Sequence, residues 1–400
     1  MSWLIAASLF GVVSFLYSYS GYPVLLALVA GLVQFKRDVA YALKKSERRE
    51  LAGDGAAATE RDWPHVAVVI AAYNEEKHIA ERVRNLLELD YPADRLTIYI
   101  GSDGSRDATA QILAQFTDVR LKAFPFMENR GKTNVLNALV SRGQEDLIAF
   151  SDANTFYATD ALKQLVRPFD DEAVGCVSGE LHLISTGGNN QDGLYWRIEQ
   201  FLKFFESRIG GALGANGAIY AIRRRYWTPL RPDTICDDFC IAMNVSAAGG
   251  RIVYTPAARA HEEMPESIDD EYHRRIRIGI GNFQALIRSP EYITRTSWGT
   301  KWSYLSHKVL RWLAPHLLLV SLGASVALAW AQPWWWWWVA VQAVGFGLAA
   351  SVYLMLLRGG RMPSLLNLLA FLFALNFAFV VASWRYVSGS YSGSWRRTSR

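Results

Sequence analysis

The chain has 400 residues, 51% of them hydrophobic, and a formal net charge of +5. That length allows one large domain or two ordinary ones, so the distribution of apolar residues matters more than their total. Only three cysteines occur (Cys176, Cys236 and Cys240), an odd count that argues against a disulfide framework and for free thiols in a reducing compartment. Cys236 and Cys240 have no second ligand pair, so a zinc site is not expected.

Residues 2–33, 312–357 and 364–384 contain no Asp, Glu, Lys or Arg. A helix crosses a bilayer with roughly 20 apolar residues, because hydrocarbon offers no partner to open backbone groups. The chain therefore divides into an N-terminal span (1–35), a juxtamembrane segment and linker (36–63) and a globular domain (64–290). An interfacial segment (291–311), about three C-terminal spans (312–388) and a basic tail (389–400) follow. The first span opens Met1-Ser2-Trp3 with no basic residue and is longer than the ~7–15 residues of a signal core, so it reads as a retained anchor.

Gly21-Tyr22-Pro23 marks a kink in that anchor. Lys36, Arg37, Lys44, Lys45, Arg48 and Arg49 follow it, Lys308 and Arg311 precede the second span, and Arg358 and Arg361 separate the last two. Basic residues gather on cytoplasmic loops, which places the globular domain in the cytoplasm. The same placement explains the basic excess without nucleic acid. Arg396, Arg397 and Arg400 pull the other way, since three spans after a cytoplasmic domain leave the tail outside. The sequence leaves that conflict open. Trp334 to Trp338 read as an interfacial aromatic belt.

Ala52 to Asp62 reads as a flexible linker. His65 to Ala72 is a continuous β-branched, apolar run expected of a buried parallel strand. Glu75 to Leu89 has helical periodicity, with Ile79, Val83, Leu86 and Leu87 on one face. Strands are expected at 95–100, 120–124 and 146–150, and helices at 108–116 and 132–141. This alternation predicts an α/β domain with a mostly parallel sheet, whose ligands bind at the carboxyl ends of the strands.

Four polar clusters fall there: Tyr73-Asn74-Glu75-Glu76, Ser102-Asp103-Gly104-Ser105-Arg106-Asp107, Asn129-Arg130-Gly131-Lys132 and Ser151-Asp152-Ala153-Asn154-Thr155. Each alone could be turn or cap chemistry. Four at strand ends of one sheet are much harder to explain that way. A later pair, Asp237-Asp238, is by itself equally a helix cap and a candidate base.

VVIAAYNEE, IGSDGSRDAT, NRGKTNVLNAL, FSDANT, GANGAIYAIRR and DDFCIAMNVSAAGGRIVYTP occur in this order. Over roughly 64–290 the sequence resembles the family-2 inverting glycosyltransferases of GT-A (Rossmann-like) fold. Its membrane flanks resemble those of bacterial exopolysaccharide enzymes, and more distantly hyaluronan, chitin and cellulose synthases. The resemblance implies a multi-pass protein of the inner (plasma) membrane that uses a nucleotide-sugar donor, a UDP-sugar, and a lipid-linked or saccharide acceptor. Membrane lipids are partners, and oligomers are allowed.

It implies Asp238 as general base beside Asp237, and Asp152 as metal ligand for Mg²⁺ or Mn²⁺, with Asn154 standing where the family has a second acid. Lys132 would meet the diphosphate, with the neighbouring glycine allowing close backbone approach. Asp103 would accept a hydrogen bond from the base, and Tyr73 and Glu75 would line its pocket. Asn216 and Gly217 fall on the acceptor side. Arg275 or Arg277 would clamp the diphosphate, although Tyr272 and Ile276 replace the glutamine and tryptophan of processive synthases. His261 reads as a core-edge residue rather than a ligand. Ser321, Ser325 and Gln342 form only a thin polar stripe for threading a polymer. Two other readings remain: a processive synthase that translocates its product, and a catalytically silent nucleotide-sugar-binding subunit.

Overall fold

The computed structural model describes residues 1–51, 62–184, 193–263, 268–358 and 363–391. Most of the linker (52–61), Arg361 and the tail arginines lie outside the described residues.

One eight-stranded sheet organises the domain. Its strands are β1 (Val66–Ala72), β2 (Leu96–Asp103), β3 (Leu121–Phe126), β4 (Leu147–Asp152), β5 (Phe156–Tyr157), β6 (Val174–Ile184), β7 (Tyr220–Arg223) and β8 (Arg251–Glu263). They lie in the order β3-β2-β1-β4-β7-β6-β8-β5. The β3-β2-β1-β4 half is parallel, β7 runs antiparallel to β4 and β6, and β6 and β8 are again parallel. The sheet is thus mostly parallel, as its buried β-branched strands suggest: all seven residues of β1 are buried.

Fourteen α-helices complete the described residues. An N-terminal column consists of α1 (Ser2–Leu16), a π turn at Tyr17–Gly21, and α2 (Tyr22–Leu51). The domain contributes α3 (Ile79–Leu87), α4 (Thr109–Leu113), α5 (Lys132–Val140), α6 (Ala161–Val166), α7 (Gly193–Arg208), α8 (Asp237–Ala247), α9 (Ile268–Arg288) and α10 (Glu291–Thr294). Then come α11 (Trp298–Ser303), a π turn at Tyr304–Val309, α12 (Leu310–Ala331), α13 (Trp336–Leu357) and α14 (Ser364–Val387).

Four helical segments are long and apolar enough to cross a bilayer: Ser2–Lys36, Trp298–Ala331, Pro333–Leu356 and Leu365–Val387. The second begins at Trp298, so Lys308 and Arg311 sit inside a helical column rather than ahead of it. At the Gly21-Tyr22-Pro23 position, where a kink is expected, the column carries a π turn over Tyr17–Gly21.

The two faces of the sheet carry different cores. One packs Ile79, Val83 and Leu86 of α3 with Leu162 and Leu165 of α6 against Val66, Val68 and Ile70. The other packs Val135, Leu136 and Leu139 of α5 and Ile241 of α8. It continues without a break through Ile276, Ile280 and Phe283 into Trp312 and Phe379 of the apolar helices. The globular domain is therefore seated directly on the apolar helices.

Candidate active site

Parallel strands put their carboxyl ends on one rim, and two helices begin over that rim. β4 delivers Asp152, α5 opens with Lys132, and α8 opens with Asp237 and Asp238. Lys132 Nζ lies 2.9 Å from Asp152 Oδ1 and 3.2 Å from Asp237 Oδ2. Burial works to lower the lysine's pKa, but Asp152 and Asp237 together push it above the ordinary value.

Asp238 is pushed the other way for a carboxylate. Burial and then the like charge of Asp237 raise it to about 6, against the opposing pull of Lys132 and its own contact with the Phe239 N–H. Two acids side by side titrate as a pair, and burial decides which holds its proton longer. A carboxyl near 6 in a polar rim is well placed for proton abstraction near neutral pH.

Gly217 stands close against the acidic pair. A Cβ at this position would stand 3.0 Å from Asp238 Oδ2, tighter than an ordinary contact. Asn216 is fixed beside it by its N–H donating to Ser178 Oγ at 3.0 Å. Ser151 Oγ, next to Asp152, donates to Ala218 O at 2.8 Å, so the β4 rim and this loop are tied together.

Asp103 has a different place from the one the resemblance implies. It has no exposed surface, and its two oxygens accept the backbone N–H groups of Arg130 (2.6 Å) and Gly131 (2.9 Å). A side chain so enclosed and so occupied holds the 129–132 loop, and hence Lys132, rather than meeting a base directly. Tyr73 and Glu75 are half-buried at the end of β1. The Glu75 N–H donates to Thr109 Oγ1 at 2.8 Å, and Asn74, at φ 55°, takes the left-handed conformation that turns the chain there.

The two arginines separate. Arg275 stacks its guanidinium 4.2 Å from the Phe371 ring centroid of α14, facing the apolar bundle. Arg277 lies near enough to Cys236, the residue before the acidic pair, for its charge to oppose the rise that burial gives that thiol. Of the two, Arg277 is the one the structure brings toward the rim. His261 is exposed and stacked on Phe156 (ring centroids 5.6 Å apart), and all three cysteines are free.

Several participants carry no motif. Arg82 of α3 is fully buried behind β4, and burial lowers its pKa to about 10. Its Nη2 donates to Ser151 Oγ at 2.8 Å, and its guanidinium lies 4.5 Å from the Tyr157 ring centroid. Glu262 of β8 is buried and accepts from Asn154 Nδ2 at 3.0 Å. The oxygen donors of Asp152, Asn154 and Glu262 are hard, which fits Mg²⁺ or Mn²⁺ and not a soft metal. Among the described residues no three His, Cys, Asp or Glu side chains gather into a metal cage.

The polar stripe of the apolar helices is closed. Ser8 Oγ lies 2.8 Å from Ser325 Oγ, and Gln342 Nε2 donates to Ser325 Oγ at 2.8 Å. Ser321 Oγ donates to Gln342 Oε1 at 3.2 Å, and Trp338 Nε1 to Ser8 Oγ at 3.1 Å. These groups satisfy each other between packed helices and act as interhelical glue rather than as the wall of a lumen.

A mostly parallel sheet with acids and a lysine at its carboxyl rim, flanked at both ends by apolar helices long enough to cross a bilayer, defines a GT-A fold. The chain belongs to glycosyltransferase like family 2, whose pattern matches residues 64–281. It is similar to the poly-β-1,6-N-acetyl-D-glucosamine synthase of Staphylococcus aureus, with 24% identity over 321 residues, covering 76% of this chain and 74% of that protein. The synthase of the same name from Staphylococcus epidermidis is 25% identical over 258 residues, covering 62% and 58%. Among solved structures, a mannosyltransferase from Pyrobaculum calidifontis, in complex with GDP-Man and Mn²⁺, superposes with a TM-score of 0.65. Its sequence identity is 21%, and the match covers 92% of this chain and all of that one.

Proposed function

We propose that the chain is an inverting, metal-dependent hexosyltransferase of the inner (plasma) membrane. It moves a sugar from a UDP-sugar to a lipid-linked saccharide at the cytoplasmic face and forms a β-linkage in exopolysaccharide or glycolipid synthesis. The observation that carries this reading is the meeting of Lys132, Asp152, Asp237 and Asp238 at one rim of the sheet.

Asp238 takes the proton of the acceptor hydroxyl as that oxygen attacks the anomeric carbon. The bond from that carbon to the diphosphate breaks, and its electron pair leaves with the nucleoside diphosphate. In-line attack inverts the centre, through a transition state of oxocarbenium character. Lys132 turns its ammonium to the diphosphate, with Arg277 beside it and the 129–132 loop held by Asp103. Mg²⁺ or Mn²⁺, held at Asp152 and Asn154, supplies Lewis-acid stabilisation of the leaving group when bound. Tyr73 and Glu75 line the base pocket, and Asn216 and Gly217 keep the acceptor side open.

A lipid-linked acceptor is supported by the position of Asp238. The next residue, Phe239, packs its ring 6.0 Å from Tyr304 and 6.1 Å from Trp312, both in the second apolar column. A hydroxyl reaching the base from the bilayer surface travels a short way. Basic residues flanking the spans favour the cytoplasmic side for the domain.

A processive synthase is the second reading, favoured by the activity named for the Staphylococcus relatives. The closed Ser8, Ser321, Ser325 and Gln342 cluster weighs against a channel through this part of the bundle. A silent binding subunit is disfavoured by the intact acidic pair. Incubating the purified chain with labelled nucleotide-sugars and membrane lipid extract, with and without EDTA, tests the proposal. One-residue lipid products that vanish with EDTA support it. A ladder of products supports the second reading, and nucleotide binding without turnover of any donor supports the third.

A further inference from the structure

We propose that Glu262 is the second carboxylate of the divalent-cation site and acts through Asn154, a role that rests on the cation-site reading above. Position 154, two residues after Asp152, holds an amide where the resemblance implies an acid, so the local run contributes one negative charge instead of two. The structure brings the second charge from 108 residues away.

The pairing of strands explains how. β5 and β8 are antiparallel, with Phe156 opposite His261 and Tyr157 opposite Ala260. One further step toward the β4–β5 turn sets Glu262 against the turn that carries Asn154. Asn154 Nδ2 then donates to Glu262 Oε1 at 3.0 Å. An ionised carboxylate only accepts hydrogen bonds, so it fixes which end of the amide faces it. The amide nitrogen is committed to Glu262, and the carbonyl oxygen is presented on the opposite side as a hard, neutral ligand.

Burial strengthens the case. Glu262 is 9% exposed, between an exposed His261 and an exposed Glu263 on the same strand. A buried carboxylate is costly unless positive charge or hydrogen-bond donors offset it, and the Asn154 amide is one such donor. Placed behind a metal ligand, the same carboxylate polarises the amide toward the cation and returns the missing charge to the site. Groups that orient a ligand in this way typically change metal affinity 10–100-fold when removed. Glu262 is a positioning residue in this scheme, with Asn154 the group that touches the ion.

The test is Mn²⁺ binding, followed by the electron paramagnetic resonance signal of free Mn²⁺, with the purified full chain and UDP as the probe nucleotide. Glu262→Gln keeps size and hydrogen bonding but removes the charge, and is expected to weaken Mn²⁺ affinity about 10–100-fold. Adding Asn154→Asp in the same chain restores the charge locally and is expected to regain most of that loss. Wild-type affinity in Glu262→Gln overturns the proposal, and so does a double variant no tighter than the single one. If Glu262→Gln does not fold, judged by its thermal midpoint, Glu262→Asp leaves the Asn154 ligand in place but withdraws the carboxylate from it, and must weaken Mn²⁺ binding measurably. Asp152→Asn separates the two levels of the argument. If it binds Mn²⁺ like the wild type, the cation-site reading itself fails. If it loses Mn²⁺ while Glu262→Gln does not, only the role of Glu262 falls.

Discussion

Two charged constellations stand close together and differ in balance. At the sheet rim, Asp152, Asp237 and Asp238 surround one lysine, so negative charge is in excess. Where α7 meets the second apolar column, Glu199 and Glu206 face Arg311 and Lys308, with His307 between them. Arg311 Nη1 lies 2.7 Å from Glu199 Oε1, and His307 contacts Glu206 through Nδ1 at 2.7 Å and Glu199 through Nε2 at 3.2 Å. Tyr22 OH donates to Glu206 Oε1 at 2.8 Å, which brings in the N-terminal column. Unbalanced charge held in place awaits a ligand, whereas matched buried charge ties elements together. The first constellation is therefore a candidate site and the second a clamp joining α2, α7 and the second apolar column.

The sharpest way to break that contrast is Asp238→Asn. Loss of a positioned base should lower kcat about 10²–10⁴-fold, while nucleotide binding changes little. The wild type should also show an acid limb. The base works only when ionised, and its pKa is raised to about 6. Activity should hold above that pH and fall as pH drops through it, with Asp237, Asp152 and Lys132 setting the position of the limb. Undiminished labelled-sugar transfer by Asp238→Asn would remove the base assignment.

Glu199→Ala probes the other constellation and should reverse the pattern. It leaves Arg311 and His307 without their shared partner, and breaking a buried pair costs about 3–5 kcal/mol. The thermal midpoint in detergent should fall markedly. UDP affinity of the protein that remains folded should stay at the wild-type value. A large loss of UDP affinity with an unchanged midpoint would mean that the network belongs to the site.

Gly217→Ala lies between these extremes. Its methyl would stand 3.0 Å from Asp238 Oδ2, so the base must shift by a few tenths of an ångström. Misplacements of about 1 Å can cost about 10²-fold, so a loss nearer tenfold in kcat is expected here. The midpoint should barely move, since the loop is only half-buried. Wild-type kcat would show that Asp238 tolerates displacement.

The rim was legible before the structure because parallel strands send every carboxyl end to one edge. VVIAAYNEE and FSDANT could be assigned to that edge from their apolar runs alone. What escaped had no such pattern. Asp103 looked like a ligand-facing acid, because nothing local reveals that the Arg130 and Gly131 amides fold back onto it. Arg82 belongs to an ordinary amphipathic helix and becomes buried only when α3 meets Tyr157 and Ser151. Glu262 and the clamp depend on partners more than a hundred residues away, where strand register and helix docking decide the contacts. The closed Ser8–Ser325–Gln342 cluster is of the same kind: its residue types were visible, but whether they lined a lumen or each other was a matter of packing.

The smallest expected effect comes from a residue beneath the acidic rim. Tyr220 of β7 is buried and stacked on Phe150, with ring centroids 5.0 Å apart. Its hydroxyl finds no hydrogen-bond partner among the described residues. Burial, then Asp237 and Asp238, hold its pKa well above the ordinary value, so it stays a neutral donor. A buried hydroxyl without a partner bears a desolvation cost of about 1–3 kcal/mol, and Tyr220→Phe removes the group while keeping the ring. The midpoint should therefore hold or rise slightly, with kcat within about twofold of wild type, because the acids remain held by Lys132. If kcat instead falls tenfold or more while the midpoint rises, the hydroxyl is an unbalanced group of the rim rather than a flaw in the core. The boundary between site and scaffold would then move one strand further into the sheet.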